Sequence, residues 1–182
     1  MLDAGQNIIT RHLPKTGQVT AYAPGPDFGC DGFYQKGWWP GRDATNNRAR
    51  WIQKAIVGDD IVVDRATGLM WPADWTGAGG NGGGLLAWFA AILWANALNF
   101  AGFSDWRLPN IAELFSLVEF EGAGPFIYQP PFSNVVSGNY WSGTTYQALV
   151  TSAYALRFNL GINWPFGKVA TCYCIAVRDS VL

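Results

Sequence analysis

Apolar and polar positions divide the chain into a turn-rich first part, two helical segments and a strand-rich end. Residues 85–100 carry no charge, and Trp88, Ala91, Ala95 and Leu98 recur at helical spacing. The spacing predicts a first helix over 85–100. Its opposite face, with Leu86, Phe89 and Leu93, is apolar too, where a surface helix should be polar. The N-terminal segment or a second copy of the chain is therefore expected to cover that face. The run falls short of the roughly 20 residues of a membrane span and contains Asn96 and Asn99, so a buried helix is the better reading.

A second helix is predicted over 110–120, with Ile111, Leu114, Leu117 and Val118 inward. Leu108-Pro109 stops the preceding element, Asn110 caps the helix, and Glu113 completes a capping box. Three strands are predicted after it, over about 139–146, 152–160 and 169–178. In the middle one Tyr154, Leu156, Phe158 and Leu160 alternate with Ala153, Ala155, Arg157 and Asn159, which reads as a core face and a more open face. Trp164-Pro165-Phe166, flanked by Gly161 and Gly167, reads as a hairpin loop with two large apolar rings near the surface. Earlier in the chain, Ile61-Val62-Val63-Asp64 and Leu69-Met70-Trp71 are strands joined by the turn Arg65-Ala66-Thr67-Gly68. Residues 77–84 are glycine-rich and read as a flexible loop. No Lys-Ser/Thr follows them, so they are not a phosphate loop. No repeat of fixed period is present.

With 182 residues the chain is read as one domain, of which 1–60 form the turn-rich part and 139–180 the ligand-binding strands and loops. Ten Trp, 22 Gly and 10 Pro point to a loop-rich α+β fold pinned by aromatics. A net charge of −1 and the lack of any basic tract argue against a nucleic-acid partner. The opening Met1-Leu2-Asp3 has neither the basic nor the apolar region of a signal peptide.

The chemistry of catalysis is thinly represented. The one histidine, His12, lies in the N-terminal part and has no supporting group marked near it. Cys172 and Cys174 without a neighbouring His make a poor zinc site. Gly58-Asp59-Asp60 with Asp64 is the one local calcium candidate, and these acids serve a turn more simply. Cys172 and Cys174 would lie on one strand face about 7 Å apart, too far for easy mutual pairing. Either could pair with Cys30, or all three could be free thiols. Asp105 is expected to accept backbone N–H bonds in its turn, Trp106 to pack, and Arg107 to fork onto carbonyls or a carboxylate. Trp71, Trp141 and Ser142 read as scaffold. No catalytic, metal or cofactor site is assigned.

Several motifs in fixed order resemble the Lcl C-terminal domain family, typified by the end of the Legionella collagen-like adhesin. They are Leu13-Pro14-Lys15-Thr16-Gly17-Gln18, Asp31-Gly32-Phe33-Tyr34-Gln35-Lys36-Gly37, Gly58-Asp59-Asp60-Ile61-Val62 and Asp64-Arg65-Ala66-Thr67-Gly68-Leu69-Met70-Trp71. The stretch 101–117, with Ser104-Asp105-Trp106-Arg107-Leu108-Pro109-Asn110 at its centre, and Tyr140-Trp141-Ser142-Gly143-Thr144-Thr145 complete the set. The resemblance implies a C-type-lectin-like fold, with two helices on small twisted antiparallel sheets and a binding face on the C-terminal strands. It implies a non-catalytic protein. Some members are adhesins, and others are similar to the variable target proteins of diversity-generating retroelements. Where the family often carries a disulfide, the matching positions here are Ala95 and Ala176. Residues 146–151 and 159–166 match no fixed part of the pattern.

Those segments mix aromatics with amide and guanidinium groups, a mixture suited to recognition. The candidate ligand-binding residues are Tyr146, Gln147, Leu149, Thr151, Arg157, Asn159, Asn163, Trp164 and Phe166. The expected role is a display module with a diversifiable surface, facing a protein or glycan on a cell or virion surface. A glycan-binding adhesin with a fixed ligand is the alternative. A structural domain that assembles through Leu86, Phe89 and Leu93 comes next, and an enzyme last.

Overall fold

A computed structural model describes residues 50–120 and 124–180. His12, Cys30 and the two motifs within 13–37 lie outside the described residues. Among the described residues the architecture is α+β, with three small antiparallel sheets and two short α-helices.

The first sheet has the order β1-β2-β3-β9, with β1 at Trp51–Ile56, β2 at Asp59–Asp64, β3 at Leu69–Pro72 and β9 at Arg178–Asp179. The turn between β2 and β3 is organised by one buried carboxylate. Asp64 accepts from Arg50 Nε at 2.9 Å and Nη2 at 2.7 Å, from the Ala66 N–H at 2.9 Å and from Thr67 Oγ1 at 2.8 Å. The sequence placed Asp64 in a turn but could not name Arg50 as its partner. With all these donors in place the acid is fully used, which takes it out of the calcium candidate. Among the described residues no group of three or more His, Cys, Asp or Glu could hold a metal ion.

The glycine run differs from the expected flexible loop. Residues Ala78–Gly83 form tight 3-10 turns, and Gly79 and Gly80 are buried. A methyl at Gly80 would overlap the Trp75 carbonyl, and one at Gly79 would overlap Pro72. Close approach, more than flexibility, is what these glycines supply.

The predicted first helix is shorter than its apolar run. Leu86–Ala87 form the strand β4, and α1 occupies Trp88–Ala97. The Leu86 carbonyl is held by Trp141 Nε1 at 2.8 Å, and Leu86 pairs with Cys172 of β8 (Thr171–Cys172). Those tertiary bonds keep 86–87 extended against a helical pattern. Leu86 is half-buried in the core, so it leaves the face on which it was expected. The apolar residues left open there are Leu85, Phe89 and Leu93. No helix among the described residues is long and apolar enough to cross a membrane.

The second helix is also cut short. α2 covers Ile111–Phe115, started by the complete Asn110–Glu113 capping box. Ser116 donates its hydroxyl to the Glu113 carbonyl at 2.7 Å, and the chain turns so that Leu117 and Val118 enter the core.

The third sheet, β5-β6-β7, spans Asn139–Thr145, Ser152–Arg157 and Ile162–Gly167. Two corrections follow. β6 ends at Arg157, leaving Leu160 half exposed in the turn, and both its faces are covered. Leu156 faces a core with Trp75, Leu114 and Tyr140, while Ala153 and Ala155 pack against Ala91 and Ala95 of α1. The expected open face is closed there, its alanines buried in one cluster with Ala91 and Ala95 of α1. The expected 162–167 loop is an edge strand. Pro165 is tolerated because Lys168 N donates to Thr151 O, and alternation along β7 turns the proline nitrogen away from β6.

The last predicted strand, 169–178, is broken into stitches. β8 pairs with β4, Tyr173 bridges Tyr140, Val177 bridges Arg107, and β9 pairs with β3. One short segment thereby ties all three sheets together.

Arg50 and Asp64 are 2% and 0% exposed. Replacing one partner strands the other charge in the core, a loss of about 3–5 kcal/mol. Asp64→Ala should lower unfolding free energy in urea by that amount. A change below about 1 kcal/mol would refute the role given to the pair.

Candidate functional site

The candidate residues divide into two groups and a middle. Tyr146, Gln147, Leu149 and Thr151 form the β5–β6 loop. Tyr146 is half-buried, with its ring edge-on to Tyr154 at 5.3 Å, whereas Gln147, Leu149 and Thr151 are exposed. Its N–H bonds the Ser152 carbonyl at 2.9 Å, and Leu149 N bonds the Tyr146 carbonyl at 3.1 Å. The loop is a tight, bonded turn with outward side chains.

Arg157 and Asn159 lie at the other end of β6, where the chain turns into β7. Five strand steps separate Ser152 from Arg157, about 17 Å. The nine candidates therefore do not converge on one pocket. They line the length of an outer sheet.

Register assigns the faces between these ends. Arg157 pairs with Ile162, and Ala155 pairs with Trp164. Directly opposed residues share a face, so Arg157, Ile162 and Trp164 lie on one side. Asn163, paired with Leu156, lies on the other. Trp164 is 55% exposed and Asn163 is exposed. Phe166 behaves differently. It is half-buried with its ring perpendicular to Trp141 at 6.3 Å, which makes it part of the packing.

The scaffold under this surface is closely bonded. Trp141 is fully buried and Ser142 Oγ donates to the Tyr154 carbonyl at 2.7 Å. Trp88 Nε1 donates to the Ser142 carbonyl at 2.8 Å. Lys168 sits over the Trp88 ring at 4.0 Å and donates to Thr145 Oγ1 at 3.0 Å. Sequence reasoning missed Lys168, Leu160 and Ile162 as surface residues. The alternation of Ile162, Trp164 and Phe166 was a strand signal, and Pro165 masked it.

The segment 105–113 is structural. Trp106 is buried and donates Nε1 to the Phe100 carbonyl at 3.0 Å. Arg107 forks onto Glu113 with two bonds of 2.7 Å, which hold its guanidinium above its ordinary value. Asp105 reaches further than expected. It accepts from Arg178 at 2.7 and 3.1 Å, and those bonds hold its carboxyl below the usual range. Its carboxylate is spent chiefly on Arg178 of β9 across the chain, with its own backbone N–H as a lesser partner.

Cys172 and Cys174 are buried free thiols. Any pairing with Cys30 lies outside the described residues. Ala95 and Ala176 are both fully buried, in different core clusters. Burial pushes both thiols from 9.0 up to about 12, and Cys172 adds to the shift at Cys174.

Residues 60–178 match the Lcl C-terminal domain, so the chain belongs to that C-type-lectin-like family of binding domains, which are generally non-catalytic. No curated protein matches the chain.

The thiol shifts give a measurable outcome. An unfolded chain releases these protons near pH 9 and the folded chain holds them to about 12, so stability falls as pH rises through that window. At pH 8 the native thiols should resist alkylation and react only after unfolding, as read by mass spectrometry. Rapid native labelling of either would contradict their placement.

Proposed function

We propose that this member of the family is a ligand-display module, the target protein of a diversity-generating retroelement, whose outer sheet binds a protein or glycan on a cell or virion surface. The observation that supports the reading most is the separation of layers. Gln147, Leu149, Thr151, Asn159, Asn163 and Trp164 are exposed, while Tyr140, Trp141, Ala155 and Leu156 beneath them are fully buried. Outer side chains on such a frame change without opening the core. Exposed aromatic and amide groups supply rigid contact and adaptable hydrogen bonding.

The genomic surroundings test this directly. The coding region for about 146–173 should have a near-copy beside a reverse transcriptase gene, with differences concentrated at adenines. Its absence would leave a fixed-ligand adhesin, which the open face of Trp164 also suits. Glycan-array signal abolished by Trp164→Ala would then identify the adhesin.

A contact between copies belongs to the same proposal. Phe89 and Leu93 are 65% and 54% exposed on a helix without charge. Phe89→Ser combined with Leu93→Ser should reduce the mass in light scattering to that of the 19.9 kDa monomer. An unchanged mass would exclude self-association through this face.

A further inference from the structure

Arg157 is half-buried, and its Nε is sealed from solvent with no hydrogen-bond partner. No salt bridge among the described residues includes it. This is at odds with how the fold treats comparable guanidinium groups. Arg50 forks onto Asp64, Arg107 onto Glu113 and Arg178 onto Asp105. The reason lies in the sequence. No Asp or Glu occurs between Glu121 and Asp179, so the whole outer sheet lacks an acid to offer. The sealed Nε is out of a partner's reach, but the guanidinium as a whole is left without a countercharge, and a carboxylate meeting its open side would supply one.

The surroundings restrict what that acceptor belongs to. Ile162, opposite Arg157, is 42% exposed, Trp164 beyond it is 55% exposed, and Leu160 in the adjoining turn is 50% exposed. Trp164 suits a sugar or a protein, but the aliphatic Ile162 and Leu160 gain from contact with apolar atoms and offer nothing to sugar hydroxyls, which favours a protein. A strand added to the edge is also disfavoured. The outward positions of β7 are 163, 165 and 167, and the central one is a proline without an N–H. Recognition therefore runs through side chains.

We propose that the corner formed by Arg157, Ile162 and Trp164 receives an acidic side chain of a protein partner. Its carboxylate forks onto Arg157 while apolar neighbours cover Ile162 and Trp164. The proposal rests on the outer sheet being the binding surface and names the chemistry that this surface reads.

The test is selection of a displayed random dodecapeptide library on the full chain. Enriched peptides should carry Asp or Glu beside Leu, Ile, Phe or Trp. The best of them should lose at least about tenfold in affinity on Arg157→Gln, and changing its acid to the amide should lose as much. The two changes together should lose little more, because they remove one interaction. Enrichment without acids, affinity indifferent to Arg157→Gln, or no enrichment at all would overturn the proposal. Peptide binding abolished by Trp164→Ala but not by Arg157→Gln would retain the surface and reject the guanidinium as reader. Indifference to both variants would reject the surface as well. Oligogalacturonate bound in an Arg157-dependent way, with no acidic peptide enriched, would replace the protein partner by a carbohydrate. Arg157→Met should leave the Tm unchanged or raise it by about 2–4 °C. A fall of several degrees would show a structural role and overturn the proposal.

Discussion

Trp75 is the joint on which the two larger sheets meet. It follows β3 of the first sheet, and its ring stands edge-on to Tyr140 of β5 at 5.0 Å, to Phe158 beyond β6 at 5.2 Å and to Phe132 at 5.7 Å. Its backbone is fixed as well, since Trp75 N donates to Ser133 O and Ser133 N returns to Ala73 O. The indole N–H of Trp75 is buried without a partner, as are those of Trp51 and Trp71. Each orphan costs about 1–3 kcal/mol. Burying an indole of roughly 200 Å² contributes about 5 kcal/mol, so the ring stays inside despite its unsatisfied donor. Arg157 has no such compensation. Its Nε is also orphaned, but on a charged and only half-buried side chain, which is the asymmetry on which the proposed contact with a carboxylate rests.

The stitching segment explains how a chain with so little regular structure keeps its outer sheet in place. Between 171 and 179 it meets β4, β5, Arg107 and β3 in turn. Tyr173 N donates to Asn139 O and Trp141 N donates to Tyr173 O, both at 2.9 Å, so β5 is held on the side away from β6. β6 is then covered by α1 on its alanine face and by the Trp75 cluster on the other. The end of β6 at Arg157, β7, the turns at its ends and the β5–β6 loop are left to present side chains. The edge is blunted by Pro165, which makes a surface for contact without inviting another strand.

Much of this was legible in the sequence where local chemistry decides the outcome. The Asn110–Glu113 box, the Asp64 turn and the packing of Trp71, Trp106 and Trp141 all follow from nearby residues. Distant partners overrode local pattern elsewhere. Leu86–Ala87 carry a helical signature and are strand because Cys172 and the Trp141 indole claim their backbone. Asp105 sits in a turn and accepts from its own N–H, yet its main partner is the distant Arg178. Ala153 and Ala155 alternate as an open face would, yet they are buried in one cluster with Ala91 and Ala95 of α1. The outer-surface candidates were read from composition, which suggests residue types suited to recognition but not their spacing. Their two ends therefore came out about 17 Å apart instead of forming one cluster.

Charge placement follows from the same division between frame and surface. The chain has 13 acidic and 12 basic side chains, yet from 124 to 178 no acid is present, and Arg157, Lys168 and Arg178 are its cations. Arg178 is tied to Asp105, and Lys168 is engaged by Thr145 and the Trp88 ring. Neither Arg157 nor Lys168 has a countercharge among the described residues, and Arg157 has no side-chain hydrogen bond either. Its field fades over a Debye length of about 8 Å at physiological salt, so a single guanidinium does little to steer a partner from afar. Its influence is confined to contact, where partial burial strengthens a fork onto a carboxylate and penalises any partner that brings none. Selectivity at this corner therefore lies in the penalty for a mismatched partner more than in long-range attraction.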